Sequence, residues 1–368
     1  MKKLWFFVTL GLALSSCDQV TDTPPEEDKV LNVYTWIDYL PNEVIKQFEA
    51  ETGIHVNLDY YDSNDVLEAK LLTGHSGYDV VFPTAFPYLQ RQIIAGAYEP
   101  LNRQSLENWS YLDDELLERL RKADPDNQYA VPYLWGTNGI GYNVDCLAKL
   151  GIEPPYDHAG LLFDPEIARR IAPHGISFLD SPSEVYPAVL AYLGLDPNSV
   201  SLTDLQKATQ QLIQVRPYVR HFSSIRFIND LANGESCIAQ GWSGDIMLAQ
   251  RQAKMSGNGV RIDYVIPREG AEIWCDVMAI PKRPPHPRNA HKFIGYLMRP
   301  EVIATISNQR GYANGNKAST PLLNPELQNN LAIYPTAEMR KKLYVIQPMT
   351  LALERQRTRL WTRVKTNQ

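Results

Sequence analysis

Four cysteines in 368 residues, none of them arranged as CxxC, are too few for a disulfide-dense scaffold or a thiolate metal centre. The seven histidines are scattered, with no pair at a metal-ligand spacing. No GxGxxG, no P-loop and no HExxH occurs, so dinucleotide binding, nucleotide hydrolysis and zinc proteolysis lose their usual anchors. Gly241-Trp242-Ser243-Gly244 starts like a nucleophile elbow, but Asp245 stands where its last glycine belongs. Basic residues are not in excess: the formal net charge is −6, a surface that repels nucleic acid and modestly favours cations. Beyond the N-terminus no apolar run approaches the roughly twenty residues of a spanning helix. No repeat or low-complexity tract interrupts the chain. What remains is ordinary globular composition, 44% hydrophobic and 21% charged, in a length that suits two domains.

The first residues are specific. Lys2-Lys3 precede an almost wholly apolar run over 4–14, the charged start and short hydrophobic region of a secretory signal. Leu14-Ser15-Ser16-Cys17 then resembles a bacterial lipobox, which makes 1–16 a lipoprotein signal peptide and Cys17 the lipidated first residue of the mature chain. Two acyl chains anchor stably where one does not. Asp18 resembles the residue that retains such lipoproteins at the inner membrane. Residues 17–29 carry Thr23-Pro24-Pro25-Glu26-Glu27-Asp28 and read as a lipid-anchored linker. The expectation is an exported, tethered protein. Cys146, Cys237 and Cys275 allow one disulfide with a free thiol, or three buried thiols; their spacing does not choose.

From residue 30 the pattern alternates strand and helix. Residues 31–35 suit a strand, and Pro41-Asn42-Glu43-Val44 opens a helix that Gly53 ends. Residues 55–60 alternate as a strand, Ser63 caps a second helix, and 79–82 form a short buried strand. This is the signature of a parallel, doubly wound α/β sheet. Residues 131–143, rich in glycine and aromatics, read as a crossover between two domains. A second α/β unit follows, with strands predicted at 176–179, 238–242, 260–266 and 274–280.

Ligands of open α/β sheets bind outside the carboxyl ends of the strands. There the first strand ends in Trp36-Ile37-Asp38-Tyr39, aromatic faces beside a carboxylate, chemistry suited to an organic cation. The pairing recurs in Gly241-Trp242-Ser243-Gly244-Asp245 and in Trp274-Cys275-Asp276, where residues two apart share one face of a strand. Arg310-Gly311-Tyr312 adds an aromatic, Glu184 starts a helix, and Thr84 stands past the third strand.

These segments, together with Asp62-Ser63-Asn64, Gly139-Ile140-Gly141-Tyr142-Asn143-Val144-Asp145 and Ile228-Asn229-Asp230-Leu231-Ala232-Asn233-Gly234, resemble the periplasmic polyamine-binding proteins of ABC transporters, closest to the putrescine-binding branch. The resemblance runs from about residue 30 to the C-terminus. It implies a two-lobed periplasmic binding protein fold, each lobe a sheet flanked by helices, joined by crossover strands. Lobe 1 would comprise 30–134 and 254–304, and lobe 2 would comprise 135–253 and 305–368. It implies an aromatic box of Trp36, Tyr39, Trp242, Trp274 and Tyr312, carboxylates Asp38, Glu184, Asp245 and Asp276, and hydroxyl contacts from Thr84 and Ser224. It further implies a monomer that needs no cofactor or metal and delivers a polyamine to ABC permease subunits in the inner membrane. Ile37 and Trp274 depart from that branch, where a small polar residue and a phenylalanine are common.

Rival readings are an enzyme, a ferric-ion binder and a polyamine sensor. The enzyme lacks its motifs. The Tyr60-Tyr61 pair that an iron site would use lies on a strand, where alternation sends the two rings to opposite faces. The sensor shares the same binding chemistry and differs only in its membrane partner.

Overall fold

The computed structural model describes residue 1 and residues 27–37 and 39–367. The signal peptide, the Cys17 lipidation site and the Asp38 carboxylate, all expected from sequence, lie outside the described residues.

The strands are β1 (Val30–Trp36), β2 (His55–Tyr61), β3 (Val80–Val81), β4 (Ala130–Asn143), β5 (Ile176–Phe178), β6 (His221–Phe222), β7 (Ile238–Trp242), β8 (Ile262–Val265), β9 (Ala271–Ala279), β10 (Ala313–Asn314) and β11 (Leu343–Tyr344). They run in the order β2-β1-β3-β9-β4-β7-β5-β6, with β8 and β10 on β4 and β11 on β9. Pairing is parallel for β2-β1-β3 and for β7-β5-β6, so each half of the sheet is wound as expected. Between them β4 and β9 run antiparallel, Ala130 to Pro132 facing Ala279 to Val277 and Trp135 to Asn138 facing Cys275 to Glu272. The shift of register between Pro132 and Trp135 is where β4 leaves one half for the other. A single 14-residue strand therefore makes the crossover that the sequence placed over 131–143.

Local chemistry explains the elements. Ser63 Oγ accepts from Val66 N–H at the start of helix Asn64–Leu71, satisfying one of the amides a helix leaves open. Gly53 ends helix Asn42–Thr52 at φ 68°, a left-handed conformation that costs glycine nothing. That helix buries Val44, Ile45 and Phe48, the last edge-on to Phe293 with centroids 5.0 Å apart. Tyr61 is buried and Tyr60 is 50% exposed, the opposite faces that alternation requires.

Three features differ from the sequence reading or complete it. Strand β8 pairs with Ile140 to Asn143, so the chain just past residue 254 stays with the second half of the sheet, and the return to the first half runs along β9. β9 begins at Ala271 rather than at Trp274, because β11 and β4 cover both of its edges there. A disulfide joins Cys146 to Cys237, leaving Cys275 as the free, buried thiol. The basic C-terminal stretch forms helix Leu351–Thr366: Leu360, Trp361 and Val364 dock on the body, while Arg355, Arg359 and Arg363 face solvent. Among the described residues no helix is long and apolar enough to cross a membrane.

Candidate functional site

β9 crosses from one half of the sheet to the other, and the side chains on one of its faces organise the site. Asp276 is 6% exposed. Thr84, bridged to it backbone to backbone, donates from Oγ1 to Oδ1 at 2.6 Å, and Tyr39 donates from Oη to Oδ2 at 2.7 Å. Asn64 fixes Thr84 in turn: its Nδ2 donates to Thr84 Oγ1 at 2.8 Å, and its Oδ1 accepts from Thr84 N–H at 3.1 Å. Burial pushes the Asp276 carboxyl up to about 6, against the opposing pull of those two hydroxyls. Tyr39 packs edge-on against Tyr133 and Phe82.

Two positions further down β9, Trp274 meets Tyr312 edge to face, centroids 5.1 Å apart. Tyr312 Oη donates to Asp245 Oδ1 at 2.7 Å, at the start of helix Ser243–Ser256. Burial also pushes Asp245 up to about 6, and the Tyr312 hydrogen bond resists it. Two glycines make the close approach: a Cβ on Gly136 would lie 2.6 Å from the Trp274 ring, and one on Gly244 would strike the Tyr312 ring.

Trp242 ends β7, and its Nε1 donates to Glu184 Oε1 at 2.5 Å, in the first turn of helix Pro182–Tyr192. Asn138 Nδ2 lies 3.4 Å from the same oxygen. Burial raises the Glu184 carboxyl, and hydrogen bonds from Ser181 and Trp242 oppose that rise. Ser224 accepts from Asp180 N–H at 3.2 Å, which ties its loop to the one that starts the Glu184 helix. Trp36 stands apart, with Nε1 donating to Phe82 O at 3.0 Å and its ring 4.7 Å from Tyr61. Ile37 is 62% exposed.

The halves of the chain converge here. Tyr39 feels the charge of Asp276 and the ring hydroxyl of Tyr312, Tyr61 feels Asp276, and Tyr88 feels Glu184 from the opposite half. Tyr39, Thr84, Trp274, Asp276, Tyr312 and Asp245 form one linked group, with Glu184 and Trp242 a second beside it. Among the described residues, Ser224 is joined to the second through the loop at Asp180, and Trp36 to the first through Tyr61 and Phe82.

Sequence reasoning missed Glu272. It is buried, shares the face of Trp274 and Asp276, and sits opposite Asn138. Burial lifts its carboxyl well above the usual range, and the neighbouring Glu184 charge adds to that. The signal was present, a carboxylate at 272 and at 276 on either side of Trp274 at every second position, once the strand is started early enough to include it.

A chemistry follows from this arrangement. Desolvated carboxylates beside aromatic faces gain most from a cation that supplies both charge and N–H donors, while the rings cover its methylenes.

The family of bacterial extracellular solute-binding proteins matches residues 43–335. The putrescine-binding periplasmic protein PotF of Escherichia coli strain K12 is 46% identical over 100% of this chain and 99% of its own. The putrescine-binding periplasmic protein SpuD of Pseudomonas aeruginosa strain UCBPP-PA14 is 44% identical over 98% of this chain and 96% of its own. Among solved structures, the spermidine/putrescine ABC transporter substrate-binding protein PotD of Streptococcus pneumoniae superposes with a TM-score of 0.79 at 26% identity, covering 92% of this chain and 99% of that one.

Proposed function

This chain belongs to the bacterial extracellular solute-binding proteins, and from that premise we propose that it captures a polyamine, putrescine above all, between its two lobes and hands it to an ABC permease for uptake. The observation that carries the reading is the row along β9: Asp276 held by Tyr39 and Thr84, then Trp274 against Tyr312 and Asp245. An isolated ammonium loses several kcal/mol on leaving water, so each end of a buried diamine needs a carboxylate. Asp276 and Asp245 supply one each. The four methylenes between them lie against Trp274 and Tyr312.

Because contacts come from both lobes, the ligand stabilises the closed form, and β4 and β9 are the segments across which closure occurs. The protein works outside the cytoplasmic membrane as a monomer, held by lipid on Cys17, and converts nothing chemically. The relatives named above are binding proteins, two of putrescine and one of an ABC transporter, and they lend no support to the sensor reading.

A thermal-shift panel of putrescine, cadaverine, agmatine, spermidine and spermine tests this. Ligand at a hundred times its Kd adds about 2.7 kcal/mol to the folded state. Putrescine is therefore expected to raise the unfolding midpoint by several degrees. A midpoint that no polyamine of the panel moves contradicts the proposal.

A further inference from the structure

Glu272 has no role in holding a diamine between Asp276 and Asp245. It is nevertheless buried, and its Oε2 has no hydrogen-bond partner. Two more acceptors are in the same condition, Asn138 Oδ1 directly opposite it and Gln240 Oε1 one strand beyond, on residues 7% and 2% exposed. All stand on one face of the sheet. Asn138 lies between Glu272 on one side and Trp242 on the other, and Gln240 is two residues from Trp242 along β7. The amide nitrogen of Asn138 serves the Glu184 carboxylate and also hydrogen-bonds Glu272, and that of Gln240 reaches the Glu184 backbone oxygen. Their oxygens are thus the atoms left over. Buried acceptors are normally paired, and three orphans around two carboxylates lack a donor that carries several hydrogens and a positive charge. Among the described residues the cation whose charge acts on Glu272 is Arg357, which donates from one terminal nitrogen to Glu354 at 2.6 Å; its Nε and the indole Nε1 of Trp274 are buried single donors that also have no partner.

Resting on the polyamine reading above, we propose that Glu272, with Glu184, Asn138 and Gln240, forms a third ammonium subsite that takes the far end of a linear triamine of the spermidine class. Length selects the triamine. Asp276 and Glu272 are four residues apart on a strand, about 13 Å at roughly 3.3 Å per residue. At about 1.25 Å of advance per single bond, the terminal nitrogens of an extended diamine of four carbons are about 6 Å apart and those of spermidine about 11 Å. Agmatine carries more donors than putrescine but falls short of Glu272 by the same arithmetic. A diamine fills the upper part of the row, and the aminopropyl arm of a triamine continues past Trp274 to Glu272.

The test is calorimetric titration of the mature chain and of Glu272→Gln with putrescine, agmatine and spermidine, with Glu272→Met as an apolar replacement of similar volume. Glu272→Gln is expected to weaken spermidine at least about tenfold while putrescine and agmatine stay within about threefold. A ligand-side measurement needs no variant: the wild-type protein should bind spermidine acetylated on its aminopropyl nitrogen at least about tenfold more weakly than spermidine itself. Equal weakening of all amines by Glu272→Gln, an unchanged affinity for spermidine, or indifference to acetylation overturns the subsite and leaves the diamine site standing. A wild-type protein that binds none of the three amines overturns the polyamine reading as well.

Discussion

Replacing Asp276 by asparagine should weaken putrescine binding at least about a hundredfold, a loss of roughly 3 kcal/mol or more. The substitution keeps the shape and leaves Tyr39 and Thr84 an acceptor for one of their two hydroxyls. It removes the charge. An ammonium that enters the closed site then gives up water without gaining a counter-ion, and the penalty of an unpaired buried charge is several kcal/mol. The effect should exceed that of Trp242→Ala, because a cation–π contact contributes only about 0.5–2 kcal/mol. Calorimetry with putrescine reads the change directly. An affinity within about threefold of wild type would mean that Asp276 serves only to join Tyr39 to Thr84.

Affinity for putrescine should also fall about a hundredfold between pH 7.5 and pH 5, about tenfold for each of two carboxylates that must lose a proton. Burial lifts both Asp276 and Asp245 to about 6, while hydrogen bonds from Thr84, Tyr39 and Tyr312 hold them from rising further. An amine of this kind, with a pKa near that of lysine, stays charged across the whole range. Ionised carboxylate is the form that pairs with it, so binding below about pH 6 must expel the proton each group carries. Above about 7 the curve should flatten.

The same shifts give the sign for stability. Their folded pKa values lie above the usual carboxylate value of 3.8. The stability these groups contribute to the unliganded fold is therefore fully present below about pH 4 and lost as pH rises through about 6. Glu184 and Glu272 are shifted the same way by burial. Ligand reverses the trend, so the thermal shift it produces should grow with pH. Affinity that is flat or higher at pH 5 would contradict the role given to both aspartates.

Much of the fold is legible in the order of residues alone. The cap at Ser63, the stop at Gly53 and the alternation through Tyr60 and Tyr61 are local signals, and local signals survive folding. The habit of setting an aromatic near a carboxylate marks Trp242 with Asp245 at the end of β7 and Trp274 with Asp276 within β9. What the sequence does not state is partnership. Thr84 and Asp276 are 192 residues apart, and nothing near either residue names the other. The same holds for Cys146 and Cys237, 91 residues apart, where spacing leaves the pairing open.

Glu272 is hidden for a different reason. A glutamate in an extended segment reads as a solvent-facing residue, since glutamates are almost never fully buried without a partner. β11 and β4 pair with the two edges of its strand and helix Pro182–Tyr192 packs against it, and all three are distant in sequence. The pairing of the segment after residue 254 is hidden in a similar way. β8 looks like a return strand, and its pairing with Ile140 to Asn143 becomes visible only once β4 is seen to extend so far.

The central claim is that the site demands a charge at each end of a short aliphatic chain. Side-by-side calorimetric titration of the wild-type protein at pH 7.5 with putrescine and with butylamine, which keeps the four carbons and drops one amine, tests it most directly. Saturable one-to-one binding of putrescine with butylamine at least about a thousandfold weaker is the expected result. Butylamine within tenfold of putrescine, or no saturable heat from putrescine, would contradict it.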